Sequence, residues 1–182
     1  SRKKFYIGIW YHNISAERTV VWVANRDSPI TNPSSAKLSI SNNSELVLSD
    51  SQGRTVWKTT NNTTSSRGEE GAGASATILS SGNFVLRLPN GTVIWQSFDH
   101  PTDTMLPTMK VILSNKAGST TTRLIAWKGP DDPSAGYISC ALDSTSNLQL
   151  VILNRTSPYY RFHVFNGISV SGTTYQGNNG AS

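Results

Sequence analysis

Asn83-Phe-Val-Leu-Arg-Leu88, Pro89-Asn-Gly91, Thr92-Val-Ile-Trp95 is the stretch that decides the fold. Two short runs of β-branched and aromatic residues flank a Pro-Asn-Gly turn, which predicts a β-hairpin closing on a tryptophan. The same arrangement stands earlier in the chain. Leu46-Val-Leu48 followed by Val56-Trp57 returns as Phe84-Val-Leu86 followed by Ile94-Trp95, at an offset of 38 residues in both pairs. Val21-Trp22 lies 35 residues before Trp57 and marks an earlier unit. Each unit is a small meander too thin to bury its own apolar face. The three must therefore pack on one another around their tryptophans.

Working outward, strands are predicted over Phe5–Tyr11, Thr19–Ala24, Ala36–Ile40, Glu45–Ser49, Thr55–Lys58, Ala76–Leu79, Asn83–Leu88 and Thr92–Trp95. Asn61–Ser75 is poor in hydrophobic residues and reads as a loop. From Ala117 a second segment begins, with strands expected at Arg123–Trp127, Tyr137–Leu142, Leu148–Leu153 and Tyr159–Phe165. Lys128–Gly136 reads as a turn, and the tail after Asn166 shows no strand pattern. No segment carries a sustained helical period with caps. The expected division is 1–113 as a first domain, 114–122 as a linker and 123–182 as part of a second.

Composition sets the class. Of 182 residues, 36% are hydrophobic and 15% charged, enough for a modest core. The net charge of +5 is scattered, with Arg2-Lys3-Lys4 the one run, which argues for a solvated basic surface and against a nucleic-acid partner. No apolar run approaches membrane-spanning length, and no signal-peptide pattern is present, as in a mature secreted chain. Cys140 is alone, so no internal disulfide is expected, and its alternating surroundings favour burial. Asn-x-Ser/Thr acceptors at Asn13, Asn42, Asn61, Asn62, Asn90 and Asn154, all but Asn13 in predicted turns, favour secretory export.

Catalytic readings fare poorly. Trp95-Gln-Ser-Phe-Asp-His-Pro-Thr-Asp-Thr-Met-Leu-Pro107 packs aromatic, acid and His together, but Pro101 and Pro107 fix the backbone while Asp99 and Asp103 suit turn amides. That favours scaffold over an acid–base pair. Gly71-Ala-Gly-Ala-Ser-Ala76 has dinucleotide-fingerprint spacing without a strand before it or a helix after it. His12, His100 and His163 have no companion at metal-ligand spacing, and kinase signatures are absent. No catalytic residue, metal or cofactor is assigned.

The long motifs Ile9-Trp10-Tyr11, Val21-Trp-Val-Ala-Asn-Arg-Asp27 and Trp95–Pro107 resemble the bulb-type (B-type, or G-type) lectin region of plant S-domain receptor-like serine/threonine kinases and their S-locus glycoprotein relatives, from about Phe5 to Gly167. The resemblance implies an all-β fold, the β-prism II of bulb lectins, with three sheets about a pseudo-threefold axis and the start of a second prism-like domain. It also implies that strands before Phe5, including the first unit's counterpart of Glu45–Leu48, are missing, so that the first prism is truncated or completed by another chain. A glycan or a peptide or protein ligand, pairing of receptor ectodomains and a membrane-anchored parent follow as expectations.

Bulb lectins present a strand motif Gln-x-Asp-x-Asn-x-Val-x-Tyr, whose alternate residues face a sugar together. Its places fall on Ser41, Asn43, Glu45, Val47 and Ser49 in the second unit, and on Leu79, Ser81, Asn83, Val85 and Arg87 in the third. A weaker echo lies at Asp143, Thr145, Asn147, Gln149 and Val151. Only Val47, Asn83, Val85 and Asn147 match the motif. The lost polar partners favour a prism-building role over high-affinity mannose binding. Tyr159, Tyr160 and Phe162 are candidate anchors for a protein ligand, with core packing of the second region as the favoured alternative.

Overall fold

The computed structural model describes residues 3–12, 18–60, 73–111, 122–143, 149–162, 169–170 and 173–174. Those residues form antiparallel β structure without an α-helix. β1 (Gly8–Trp10) pairs with β2 (Val20–Val23). β3 (Lys37–Ile40), β4 (Leu46–Ser49) and β5 (Thr55–Lys58) make a second sheet, and β6 (Ser75–Ile78), β7 (Phe84–Arg87) and β8 (Val93–Gln96) a third.

The repeat read from sequence is repeated in register. Leu48 faces Trp57 across β4 and β5, Leu86 faces Trp95 across β7 and β8, and Ile9 faces Trp22 across β1 and β2. Each pair is followed by an irregularity at the same place, between Ile9 and Trp10, Leu48 and Ser49, and Leu86 and Arg87. A bulge there increases twist and bends each sheet toward the others. The turns match too. Ser44 (φ 54) and Gly82 (φ 84) take left-handed backbone before β4 and β7, as do Gly53 (φ 76) and Gly91 (φ 86) before β5 and β8. Glycine suits three of these positions because it has no Cβ to clash.

The three tryptophans meet on the axis. Trp22, Trp57 and Trp95 lie 5.9, 6.0 and 6.0 Å apart, each pair edge to face. Such pairs contribute about 0.5–1.5 kcal/mol each beyond burial. Ile9, Val21, Leu46, Leu86 and Leu106 complete the buried cluster.

The third unit's closing segment seals this core. Ser97–Asp99 forms a 3-10 turn. The His100 ring then stacks on Trp95 at 5.5 Å and 8°, and its carbonyl accepts the Trp22 indole N–H at 2.9 Å. Leu106 buries against Gly82, where an added Cβ would come within 2.9 Å of its side chain.

β9 (Arg123–Gly129), β10 (Asp132–Asp143), β11 (Gln149–Asn154) and β12 (Ser157–Arg161) form a four-stranded sheet in the order β12-β11-β10-β9. The motif Asn25-Arg26-Asp27 fastens the prism to it. Asn25 is buried and holds the first unit's entry, accepting from Ile7 N–H and donating to the Phe5 and Ser28 carbonyls. Arg26 donates to the carbonyls of Pro133, Ile125 and Ala126, while Asp27 accepts the Ala135 N–H.

Four expectations are corrected. The first unit's counterpart of Glu45–Leu48 is present: Gly8 pairs with Val23 and Ile9 with Trp22, as Val47 pairs with Lys58 and Leu48 with Trp57, so Tyr6–Ile9 holds that place. The Lys128–Gly136 turn is shorter than expected, because pairing resumes at Asp132 opposite Gly129. Cys140 is half-buried while Ser139 is the buried residue, because neighbours on a strand face opposite ways and Ser139 holds the inward place. The tail carries two short paired strands, β13 (Ser169–Val170) and β14 (Thr173–Thr174).

Candidate functional site

A shared outer face needs continuous strand, and strand begins late. β4 starts at Leu46 and β7 at Phe84, so Ser41, Asn43 and Ser81 lie in turns outside the period-two row. The Ser41 hydroxyl accepts the Glu45 N–H at 3.2 Å, and Asn43 is exposed at the turn tip. Val47 and Ser49 face outward, part-exposed, while Leu46 and Leu48 point to the core. Beside them the Glu45 carboxylate accepts from Lys58 Nζ at 2.8 Å.

The third unit has the same geometry and a closed chemistry. Asn83 is buried; it donates to Gln96 Oε1 at 2.9 Å and accepts from the Ser97 hydroxyl and Phe98 N–H. Gln96 in turn donates to both Asp99 oxygens at 3.0 Å. Val85 is buried, and Arg87 Nε is buried with no acceptor among the described residues. Glu45 with Lys58 and Asn83 with Gln96 are thus the same cross-strand pair, again 38 residues apart. Lys58 and Gln96 each directly follow the unit's tryptophan, and that offset could have revealed both.

The first unit's row, missed from sequence, is Tyr6, Gly8 and Trp10. The Tyr6 hydroxyl is buried without a partner among the described residues, and burial pushes its pKa up. Trp10 is exposed beneath the Arg18 guanidinium, 5.1 Å from the ring centre. The echo in β10 and β11 is tied up internally: Arg161 Nη1 bonds Asp143 and Gln149, and Val151 is buried. Thr145 and Asn147 lie outside the described residues.

Other candidates are placed as follows. Asn42, Asn90 and Asn154 are exposed at turns or strand ends, and Asn13, Asn61 and Asn62 lie outside the described residues. Tyr159 and Tyr160 are 75% and 51% exposed, so they do not pack into a core. Tyr160 meets Phe162 edge to face at 5.1 Å, and Arg155 sits 4.4 Å over exposed Tyr137. Asp103 accepts from the Thr102 and Thr104 hydroxyls, and burial holds the His100 imidazole below its ordinary value. Burial raises the Cys140 thiol. Among the described residues no three His, Cys, Asp or Glu side chains gather to hold a metal ion.

Three Trp-closed meanders packed about one axis define a bulb-lectin β-prism. The D-mannose binding lectin family profile matches residues 19–128, more than half of the chain, and the chain belongs to that family. It is 45% identical over 175 residues to receptor-like serine/threonine-protein kinase SD1-8 of Arabidopsis thaliana, covering 93% of this chain and 19% of the relative. S-locus-specific glycoprotein S6 of Brassica oleracea is 40% identical over 176 residues, covering 94% and 38%. The G-type lectin S-receptor-like serine/threonine-protein kinase At1g11300 of Arabidopsis thaliana is 37% identical over 171 residues, covering 92% and 20%. The chain spans about a fifth of the length of these kinases and under two fifths of the glycoprotein. It is a lectin-type recognition module, located outside the cell or at its surface like the receptors and glycoproteins it resembles.

Proposed function

We propose that this chain is the recognition part of a receptor-like kinase or S-locus-type glycoprotein, and that it holds a mannose-type hexose on the outer face of β4. Residues 1–113 serve as the lectin domain, 114–122 as a linker and 123–182 as part of a second lectin-like region. One observation carries the sugar reading: the second unit keeps Glu45, Lys58, Val47 and Ser49 part-open on one face, whereas the third unit's polar groups satisfy each other. The carboxylate accepts from neighbouring sugar hydroxyls, the ammonium has donors left for a ring or hydroxyl oxygen, and Val47 lies against the ring's C–H surface. Any kinase chemistry belongs to the rest of a longer parent, reached through association of receptors.

A glycan array followed by titration with methyl α-mannoside tests this. Selective binding, lost in Glu45→Gln and Lys58→Ala with stability lowered by no more than the about 0.2–1 kcal/mol of a surface ion pair, is expected. A flat array removes the sugar reading and leaves a second: a protein ligand or sister receptor anchored on exposed Tyr137, Tyr159 and Tyr160.

A further inference from the structure

The three indoles fill the prism axis but leave a hollow at one end. Trp22, Arg26 and Asp27 of the first unit, Trp57 and Lys58 of the second and Trp95 of the third line it, around about 280 Å³. Small-molecule pockets run to roughly 300–1,000 Å³, so this one has room for a single ring.

Its polar groups are unequal. Arg26 is held rigidly, with Nε and Nη2 donating to the Pro133, Ile125 and Ala126 carbonyls at 2.8, 3.0 and 3.2 Å. Those acceptors are neutral, and no carboxylate pairs with Arg26 among the described residues, so its charge is uncompensated and Nη1 is unengaged. Lys58 is already paired with Glu45. Asp27 accepts the Ala135 N–H through Oδ1, and among the described residues Oδ2 has no donor. The Trp22 N–H is taken by the His100 carbonyl, while the Trp57 and Trp95 N–H groups have no acceptor among the described residues.

We propose that this axial hollow binds one hexuronate ring, with its carboxylate on Arg26, its hydroxyls on Asp27 and its C–H face on Trp57. Each part of that ligand answers a lining group. A guanidinium without an ion pair calls for an anion. A carboxylate oxygen needs hydroxyl donors, which an aromatic acid lacks. The indole face suits a ring rather than a chain. Lys58 borders both the hollow and the outer face of β4, but the uronate's contacts do not use it, so this site does not depend on the mannose reading.

The hollow's own tryptophans report occupancy. The full chain is titrated with sodium galacturonate and sodium glucuronate, with methyl α-mannoside and sodium benzoate as controls at matched ionic strength, following indole emission. A saturable response to a uronate, with neither control matching it, is expected. Arg26→Gln should weaken it roughly ten- to hundredfold. Because Arg26 also fastens the four-stranded sheet, Asp27→Asn is run beside it. That change keeps an acceptor for the Ala135 N–H, and about tenfold weakening is expected. No saturable uronate response, an equal response to either control, or unchanged affinity in folded Asp27→Asn overturns the proposal. Val47→Arg separates the two sites, since Val47 faces outward on β4 and does not line the hollow: it should abolish mannoside binding and leave the uronate response intact.

Discussion

The second and third units share their register, bulge and turn conformations, yet their outer faces differ in chemistry. In one, Glu45 and Lys58 form an ion pair at the surface; in the other, Asn83, Gln96 and Asp99 form a closed amide–carboxylate chain. The backbone repeat is set by inward residues such as Leu48, Leu86, Trp57 and Trp95 and by the left-handed turn positions. The outward pair is then free to open toward a ligand or to close on itself. A prism of this kind can keep its shape while losing or recasting a site.

The largest expected effect concerns the shared interior. Trp95 is buried and Trp57 only half so. Trp95→Ala should fall at the upper end of about 3–5 kcal/mol, and Trp57→Ala at or below the lower end. Urea unfolding of both variants checks this, and equal losses would remove the asymmetry between the units. Next comes the outer pair. Asn83→Ala strands the Phe98 N–H and the Gln96 carbonyl, at about 1–3 kcal/mol. Glu45→Ala removes a surface ion pair worth about 0.2–1 kcal/mol. If the two cost the same in urea, the contrast between a closed and an open face fails.

The smallest effect separates the closing segments, since a titratable ring lies on Trp95. Burial holds His100 below its ordinary 6.5, with nearby Asp99 opposing the shift. The unfolded chain therefore takes up the proton first as pH falls. This contribution is whole above pH 6.5 and is lost between 6.5 and the lower folded value. Tm measured across that window should decline in the parent chain and decline less in His100→Gln.

The meanders and their tryptophans were legible in sequence because inward residues must recur where sheets share a core. The first unit's strand at Phe5–Tyr11 was legible too, but its equivalence to Glu45–Leu48 was not, because its tryptophan follows at a longer spacing. Ile9 and Trp22 stand 13 residues apart, against 9 for Leu48 and Trp57 and for Leu86 and Trp95, so a fixed offset misses them. The five-place sugar row was legible as spacing but not as geometry, since spacing cannot show that strand begins only at Leu46 and Phe84. Whether Asn83 faces a ligand or Ser97 is equally silent in sequence, because an amide serves both. Alternation alone also could not tell whether Ser139 or Cys140 takes the inward place on β10, since it fixes the period and not the phase.

The indole triangle also fixes how many units the architecture can have. Every tryptophan touches both others, so the arrangement is a closed cycle with no terminal member. An open solenoid can gain or shed a repeat at either end. Here, deleting one meander would leave two rings facing a void, and a fourth would find no vertex to occupy. Change is confined to the exterior, where side chains turn over while the count of three stays fixed.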